Sequence, residues 1–329
     1  MFLDPIRCFL TVICRAKRFH VTLLAQNLHC PEQTEASKYE RECLQLLHAI
    51  QSEDEIEYNP EDPDPLEAIF DWVVTPFLPI FQTLPPQLSS TPQMQTLYEY
   101  FNPPTLFFTL KVVQGKLTPI ATPANSHSLE YLIPSMKLPP IVLDADLPTF
   151  QPSNIYTHCD LRSEGAQFPT KVFGDHLPYF YKATSHGRST AIEREIDLLL
   201  RLERTGLTRK IRIPKLCGYV KVDKKDKVMG LLLTYIEYQD TLQGILRQKP
   251  DITLRKKWFF DIENMLRLLH ETGIVLGDAK ADNILIDNTN EVWMIDFGEA
   301  IPLNGLAKRS VNLSKEIWKG CRESKSIFR

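Results

Sequence analysis

The sequence predicts an α+β protein with an α/β extension over its first 150 residues. Three observations support this. Short β-prone runs open the chain, two amphipathic helical stretches follow them, and beyond about residue 155 the order is strands, one helix, strands, then mostly helix. No repeat of fixed period is visible.

Ile6–Ile13 and Phe19–Leu24 alternate as strands around the charged turn Arg15-Ala16-Lys17-Arg18, which predicts a hairpin. From Ala36 to Ile50, Tyr39, Cys43, Leu46, Leu47 and Ile50 recur at helical spacing. Glu53–Pro65 holds seven acids and three prolines, so it is expected as a solvated loop. Leu66–Leu84 resumes a helical pattern that Pro76 and Pro79 should kink or end. Prolines 85, 86, 92, 103 and 104 keep the following segment extended. Leu106–Val113 is a strand, Gln114-Gly115-Lys116 a tight turn and Leu117–Ala121 its partner. A proline-rich passage, Pro134–Pro152, then sets the main boundary near Ile155.

Past that boundary, Tyr156–Val172 contains two weak strands around Ser163-Glu164-Gly165-Ala166, and Pro178–Ala183 is a strand that carries Lys182 near its end. Thr190–Leu202 is a helix. Lys215–Val222 and Val228–Tyr235 pair around Asp223–Lys227, Leu254–Glu271 is a long amphipathic helix, and Asn283–Asp287 with Glu291–Ile295 forms a hairpin.

Composition narrows the function classes. A net charge of -3 gives no electrostatic reason for a nucleic-acid partner. The seven cysteines stand singly, without zinc-ligand spacing, which suits a reducing compartment. No apolar run reaches the roughly 18 residues needed for a membrane span. Phe9, Leu10, Val12 and Ile13 imitate a signal-peptide core, yet Arg15, Lys17 and Arg18 follow without a cleavage site. The chain therefore reads as intracellular, cytoplasmic or nuclear.

The chemistry concentrates between residues 276 and 298. Asp278 and Asn283 are five apart, with Lys280 between them, after the long helix and before the hairpin; Asp296-Phe297-Gly298 ends that hairpin. Phosphoryl transfer to a hydroxyl needs a carboxylate to orient the hydroxyl, a cation near the γ-phosphate and two oxygen ligands for magnesium. Asp278, Lys280, Asn283 and Asp296 supply these in that order. The run His270 to Asp287, with Ile295-Asp296-Phe297-Gly298 after it, resembles the catalytic loop and metal-binding motif of the protein-kinase-like superfamily. The resemblance covers about residues 155–300. It implies a two-lobed protein-kinase-like fold with a reduced C-lobe, and ATP and Mg²⁺ as cofactors.

Upstream, Lys182 on its strand and Glu195 on the next helix match the ion pair that holds the α- and β-phosphates. Glu193 is the less suitable glutamate, because Thr190 three residues earlier makes a capping box with it. Glu195 instead lies on the ridge of Ile192, Ile196 and Leu199. Leu231–Glu237 resembles the strand-to-hinge passage, so backbone groups of Thr234 and Ile236 would meet adenine, with Leu285 beneath the ring. His270 takes a packing role at the loop.

Four departures from the family pattern stand out. Leu276-Gly277 replaces His-Arg before Asp278, and Gly277-Asp278 resembles small-molecule and lipopolysaccharide kinases of the same fold. Gly165 alone stands where a glycine-rich loop belongs. Phe180 shares a strand face with Lys182, where kinases usually carry alanine. Only 31 residues follow Gly298, among them an expected basic helix over Lys308–Arg329 with seven basic and two acidic residues.

The expected organisation is an accessory region at 1–150, an N-lobe at 151–237 and a reduced C-lobe at 238–329. The first 150 residues resemble the leader region of uncharacterised kinase-like proteins of filamentous fungi. The function implied is transfer of the γ-phosphate of ATP to a hydroxyl. The acceptor is a Ser/Thr protein by family default or a small molecule, and a pseudokinase acting as a nucleotide-binding or scaffold module is the alternative.

Overall fold

The computed structural model describes residues 2–4, 7–28, 38–51, 64–85, 93–137, 147–159, 168–184, 190–222, 227–277, 280–298 and 300–302. Residues 53–63 of the acidic loop, the Ser163–Ala166 turn, most of the Asp223–Lys227 turn, Asp278 and the Lys308–Arg329 segment lie outside them. By contact density the chain divides into Met1–Thr91 with Glu99–Glu130, and Pro92–Tyr98 with Tyr131–Arg329.

The first unit is built on a five-stranded sheet ordered β1-β2-β3-β5-β6: β1 (Phe2–Asp4), β2 (Arg7–Cys14), β3 (Lys17–Leu24), β5 (Thr105–Val113) and β6 (Lys116–Ala121). Neighbours run antiparallel except β3 and β5. The first hairpin turns more tightly than its charged sequence implies. Cys14 pairs with Lys17, and Arg15 and Ala16 both take positive φ, 50° and 58°. That two-residue turn has the twist that matches paired strands, and here neither position is glycine or asparagine. Gln114 and Gly115 repeat it at φ 51° and 71° with the more usual glycine.

Helices α2 (Lys38–Gln51) and α3 (Pro65–Val74) supply Cys43, Leu47, Ile69 and Val73 to the same core as Phe19, Val21 and Leu110. Asp64 caps α3 by accepting from the Leu66 N–H at 2.8 Å, and Pro65 opens it where a missing N–H costs nothing. Pro76 forces a 3₁₀ turn at Thr75–Phe77 before a short helix, Leu78–Thr83. Phe77 and Phe81 then pack on Phe19 with centroids 6.4 and 4.9 Å away.

The main sheet of the second unit runs β4-β9-β10-β11-β13-β12-β8. Its strands are β4 (Gln93–Thr96), β8 (Thr149–Phe150), β9 (Tyr156–Cys159), β10 (Lys171–Gly174), β11 (Leu177–Ala183), β12 (Leu216–Lys221) and β13 (Lys227–Thr234), and β7 (Met136–Lys137) joins β13. Three of these, β4, β7 and β8, come from residues 93–150. They span only two to four residues, too few for a periodic signal. A smaller sheet joins Tyr238–Thr241, Ile284–Asp287 and Val292–Met294.

A helix at Thr190–Arg204 buries Ile192, Ile196 and Leu199 in the cluster that also takes Leu231 and Leu233 of β13 and Trp258, Ile262 and Met265 of the Ile252–Glu271 helix. Asp251 caps that last helix through the Thr253 N–H at 2.7 Å, and Gly273 at φ 76° follows its end. No helix among the described residues is long and apolar enough to cross a membrane.

Gly230 of β13 is needed for packing. A Cβ there would overlap the Tyr181 ring and stand 2.7 Å from the Lys182 carbonyl oxygen. Tyr181 is fully buried, and its hydroxyl donates to the Met229 carbonyl at 3.0 Å, so the ring cannot swing away. Gly230→Ala is expected to cost about 1–3 kcal/mol as overpacking, measured as a lower urea midpoint with an unchanged m-value. A neutral result would mean that β11 and β13 separate readily at this point.

Candidate active site

β11 presents Lys182 near its end, one residue after buried Tyr181, so strand alternation turns the lysine to the opposite face. Phe180 shares that face and packs, partly buried, against the apolar cluster of the second unit. On the Thr190–Arg204 helix, Glu195 falls on the buried ridge with Ile192, Ile196 and Leu199 and is 1% exposed. Its Oε2 accepts from Lys182 Nζ at 2.6 Å, while its Oε1 is buried and accepts no hydrogen bond from the described residues. This carboxylate therefore depends on one ammonium group.

The same ammonium donates to Asp296 Oδ1 at 2.9 Å. Asp296 sits at φ 61°, a left-handed conformation that Asp adopts more readily than most residues. Phe297 beside it is fully buried in the core, which pins the backbone while the Asp296 side chain stays half-exposed. Burial pushes the Asp296 carboxyl upward, but Lys182, the Gly298 N–H and Lys280 together hold it below its ordinary range. Burial likewise pulls the Lys182 ammonium downward, and Glu195 with Asp296 outweighs it, leaving the group above its ordinary value.

Lys280 precedes a 3₁₀ turn at Ala281–Asn283, closed by the Asn283 N–H donating to the Lys280 carbonyl at 3.0 Å. The Ile295 N–H donates to the Asn283 carbonyl at 3.0 Å, so this turn lies beside the strand end that carries Asp296. Lys182, Glu195 and Asp296 thus meet directly, with Lys280 within electrostatic reach and Asn283 alongside. Asp278 lies outside the described residues.

The expected adenine-facing residues divide. Thr234 ends β13 with its N–H committed to the Lys215 carbonyl at 3.0 Å and its hydroxyl accepting from the Lys215 N–H at 3.2 Å. The Ile236 N–H donates to no described group. Leu285 is buried on its strand, opposite Trp293. One feature here had no sequence signal. Lys171 of β10 pairs with Glu237 at 2.7 Å and lies 4.3 Å from the Tyr235 ring centroid, tying that strand to the Tyr235–Glu237 passage. The partners stand 66 residues apart, beyond any local pattern.

A cation held between two carboxylates, beside a second lysine and an asparagine, can bind phosphate oxygens and a divalent ion. Mg²⁺ takes few protein ligands and completes its shell with phosphate oxygens and water. One carboxylate, Asp296, with Asn283 is a donor set of that kind. ATP and Mg²⁺ therefore fit the residues present.

Comparison with known proteins agrees. The family model for the protein kinase domain matches residues 182–317. Over 85 residues the chain is 32% identical to the 3-deoxy-D-manno-octulosonic acid kinase of Photobacterium damsela subsp. piscicida, covering 26% of this chain and 34% of that protein. It is 26% identical over 111 residues to the serine/threonine-protein kinase kin-29 of Caenorhabditis elegans, covering 33% of this chain and 13% of the relative. It is 25% identical over 134 residues to the probable cAMP-dependent protein kinase catalytic subunit of Encephalitozoon cuniculi, covering 40% and 39%. The chain spans less than half the length of each of these relatives. The matched region opens at Lys182 and takes in Glu195 and Asp296, so residues 182–317 are similar to the protein kinase domain.

Proposed function

We propose that the chain is an ATP- and Mg²⁺-dependent phosphotransferase that moves a γ-phosphate to a hydroxyl group. In this reading residues 151–237 and 238–329 are the two lobes of a kinase-like fold with a reduced C-lobe, and residues 1–150 are an accessory region. The accessory region resembles the leader of kinase-like proteins of filamentous fungi, and the protein is intracellular, cytoplasmic or nuclear.

The observation that carries the reading is Lys182 held between Glu195 and Asp296 at 2.6 and 2.9 Å. Lys182 binds the α- and β-phosphates with Glu195 fixing its position, and Asp296 and Asn283 hold Mg²⁺. Thr234, Ile236 and Leu285 line the adenine site. Asp278 orients the acceptor hydroxyl and takes its proton, while Lys280 neutralises charge on the transferred group. Bound Mg-ATP supplies the phosphoryl group and the divalent charge that stabilises its departure.

Two acceptor classes are in view. A small-molecule hydroxyl is favoured by Gly277-Asp278 and by the relative named as a 3-deoxy-D-manno-octulosonic acid kinase. A protein Ser/Thr acceptor is favoured by the relative named as a serine/threonine-protein kinase.

The test couples binding to turnover. A ligand that binds only the folded state raises its stability by mass action, about 2.7 kcal/mol at one hundred times Kd. Millimolar Mg-ATP should therefore raise the melting temperature of the wild type. ADP release should depend on an added acceptor, either 3-deoxy-D-manno-octulosonic acid or a Ser/Thr peptide library. Asp278→Asn should keep the thermal shift and lose the ADP. Absence of any shift refutes the nucleotide reading, and a shift without turnover for any acceptor leaves the pseudokinase in its place.

A further inference from the structure

A cavity lies on the β12 side of β13, with β13 standing between it and the Lys182 strand. Its volume is about 310 Å³, and its lining includes Arg209, Lys210, Arg212, Lys215, Thr234 and Trp293. Four of the nine lining residues are cationic, in a chain whose net charge is -3.

The charges do not cancel locally. Arg212 pairs with Glu291 at 2.6 Å and Lys215 with Glu203 at 3.2 Å. Arg209 and Lys210 are exposed and make no ion pair with a described carboxylate. Glu203 also draws Arg209 electrostatically, so the four cations share the two carboxylates Glu203 and Glu291, a surplus of two positive charges. Trp293 has its N–H committed to Asp287 Oδ2 at 2.9 Å, so its indole offers the cavity apolar ring surface.

We propose that this cavity receives a phosphorylated serine or threonine side chain from a partner polypeptide. Its surplus of two positive charges matches a phosphomonoester, which carries about -1.5 to -2 near neutral pH. A carboxylate, with a single charge, would leave one cation unmatched. Arg209 supplies the planar fork that grips phosphate oxygens by two parallel bonds, and Lys210 adds a point charge. The volume lies at the lower end of small-ligand sites, about 300–1,000 Å³. That leaves room for one modified side chain, with flanking backbone laid against Trp293.

The experiment uses the full chain and a dye-labelled short phosphoserine peptide flanked by glycine and alanine, followed by fluorescence anisotropy. Binding is expected for the phosphopeptide, with none for the unphosphorylated peptide at the same concentration, and an affinity that falls with added salt. The Arg209→Ala/Lys210→Ala double variant should weaken binding by about tenfold or more. A tenfold change needs about 1.4 kcal/mol, less than two charge-assisted bonds contribute. Both residues are exposed, so an unchanged melting temperature confirms that the variant is folded. Saturating Mg-ATP should leave the peptide bound. Four results would overturn the proposal: equal affinity in the double variant, equal binding of a Glu-substituted peptide, displacement by Mg-ATP, or displacement by inorganic phosphate at the peptide's own concentration. The last would mark a free-anion site.

Discussion

Lys182→Ala is expected to lower phosphotransfer by about a hundred- to a thousandfold, the scale set by loss of one preorganised electrostatic contact, and to destabilise the fold as well. The second effect follows from Glu195. Its carboxylate is 1% exposed and its Oε1 already lacks a hydrogen bond among the described residues, so removing the ammonium strands a buried charge. Breaking a buried pair from one side costs about 3–5 kcal/mol. The two effects separate in a double variant. Lys182→Met with Glu195→Leu replaces the pair by apolar groups of similar volume, a change that is often neutral. The urea midpoint should recover most of its loss while activity stays absent. If the single variant is as stable as the wild type, Glu195 is not isolated by the loss of Lys182.

The same triad sets a pH window. Asp296 is held below the ordinary carboxyl value of 3.8, so its contribution is fully present above that value and is lost as pH falls through the lower folded value. Lys182 is raised above 10.5, so its contribution is present below that value and is lost only as pH rises through the higher folded value. Between the two, Lys182 and Asp296 both stay charged. Stability arising from this pair should be level across neutral pH and should fall on the acid side first. Asp296→Asn should flatten part of that acid limb, as read from urea midpoints at stepped pH.

Local periodicity reveals only part of this centre. Glu195 was accessible from sequence because helical spacing places it on the ridge of Ile192, Ile196 and Leu199, and the structure buries that whole face. Strand alternation likewise separates Lys182 from Tyr181, and the Asn288-Thr289-Asn290 turn marks the hairpin before Asp296. Contacts joining distant segments leave no such trace. Lys182 and Asp296 are 114 residues apart, and only a motif resemblance, not spacing, linked them beforehand. β4, β7 and β8 are too short for alternation to register, so the sheet of the second unit begins earlier in the chain than the composition boundary near residue 155 indicates. The turn at Arg15-Ala16 is two residues long rather than the four its charged run suggests; neither central residue is one that favours positive φ and so signals the tight turn. The cavity beside Thr234 collects residues from three separate segments and has no linear signature.

Asp296→Asn should remove most turnover while leaving the fold nearly intact, and comparison with alanine explains why. At φ 61° most side chains are strained, but asparagine is among the residues that tolerate this region, and its amide oxygen can still accept from Lys182. Alanine keeps the strain and loses the acceptor. Asp296→Ala should therefore melt lower than Asp296→Asn, although both lack the charge. On the proposed reading, loss of the anion should weaken Mg²⁺ binding in both, because a hard divalent cation takes carboxylate oxygens in preference to a neutral amide. Activity should fall by about a hundredfold or more in each, and part should return at high Mg²⁺ for asparagine before alanine. The nucleotide-induced rise in melting temperature should shrink in both variants and lose its dependence on Mg²⁺. If that dependence survives in Asp296→Ala, the metal is held elsewhere, and the half-exposed carboxylate beside Lys182 serves only to position the lysine.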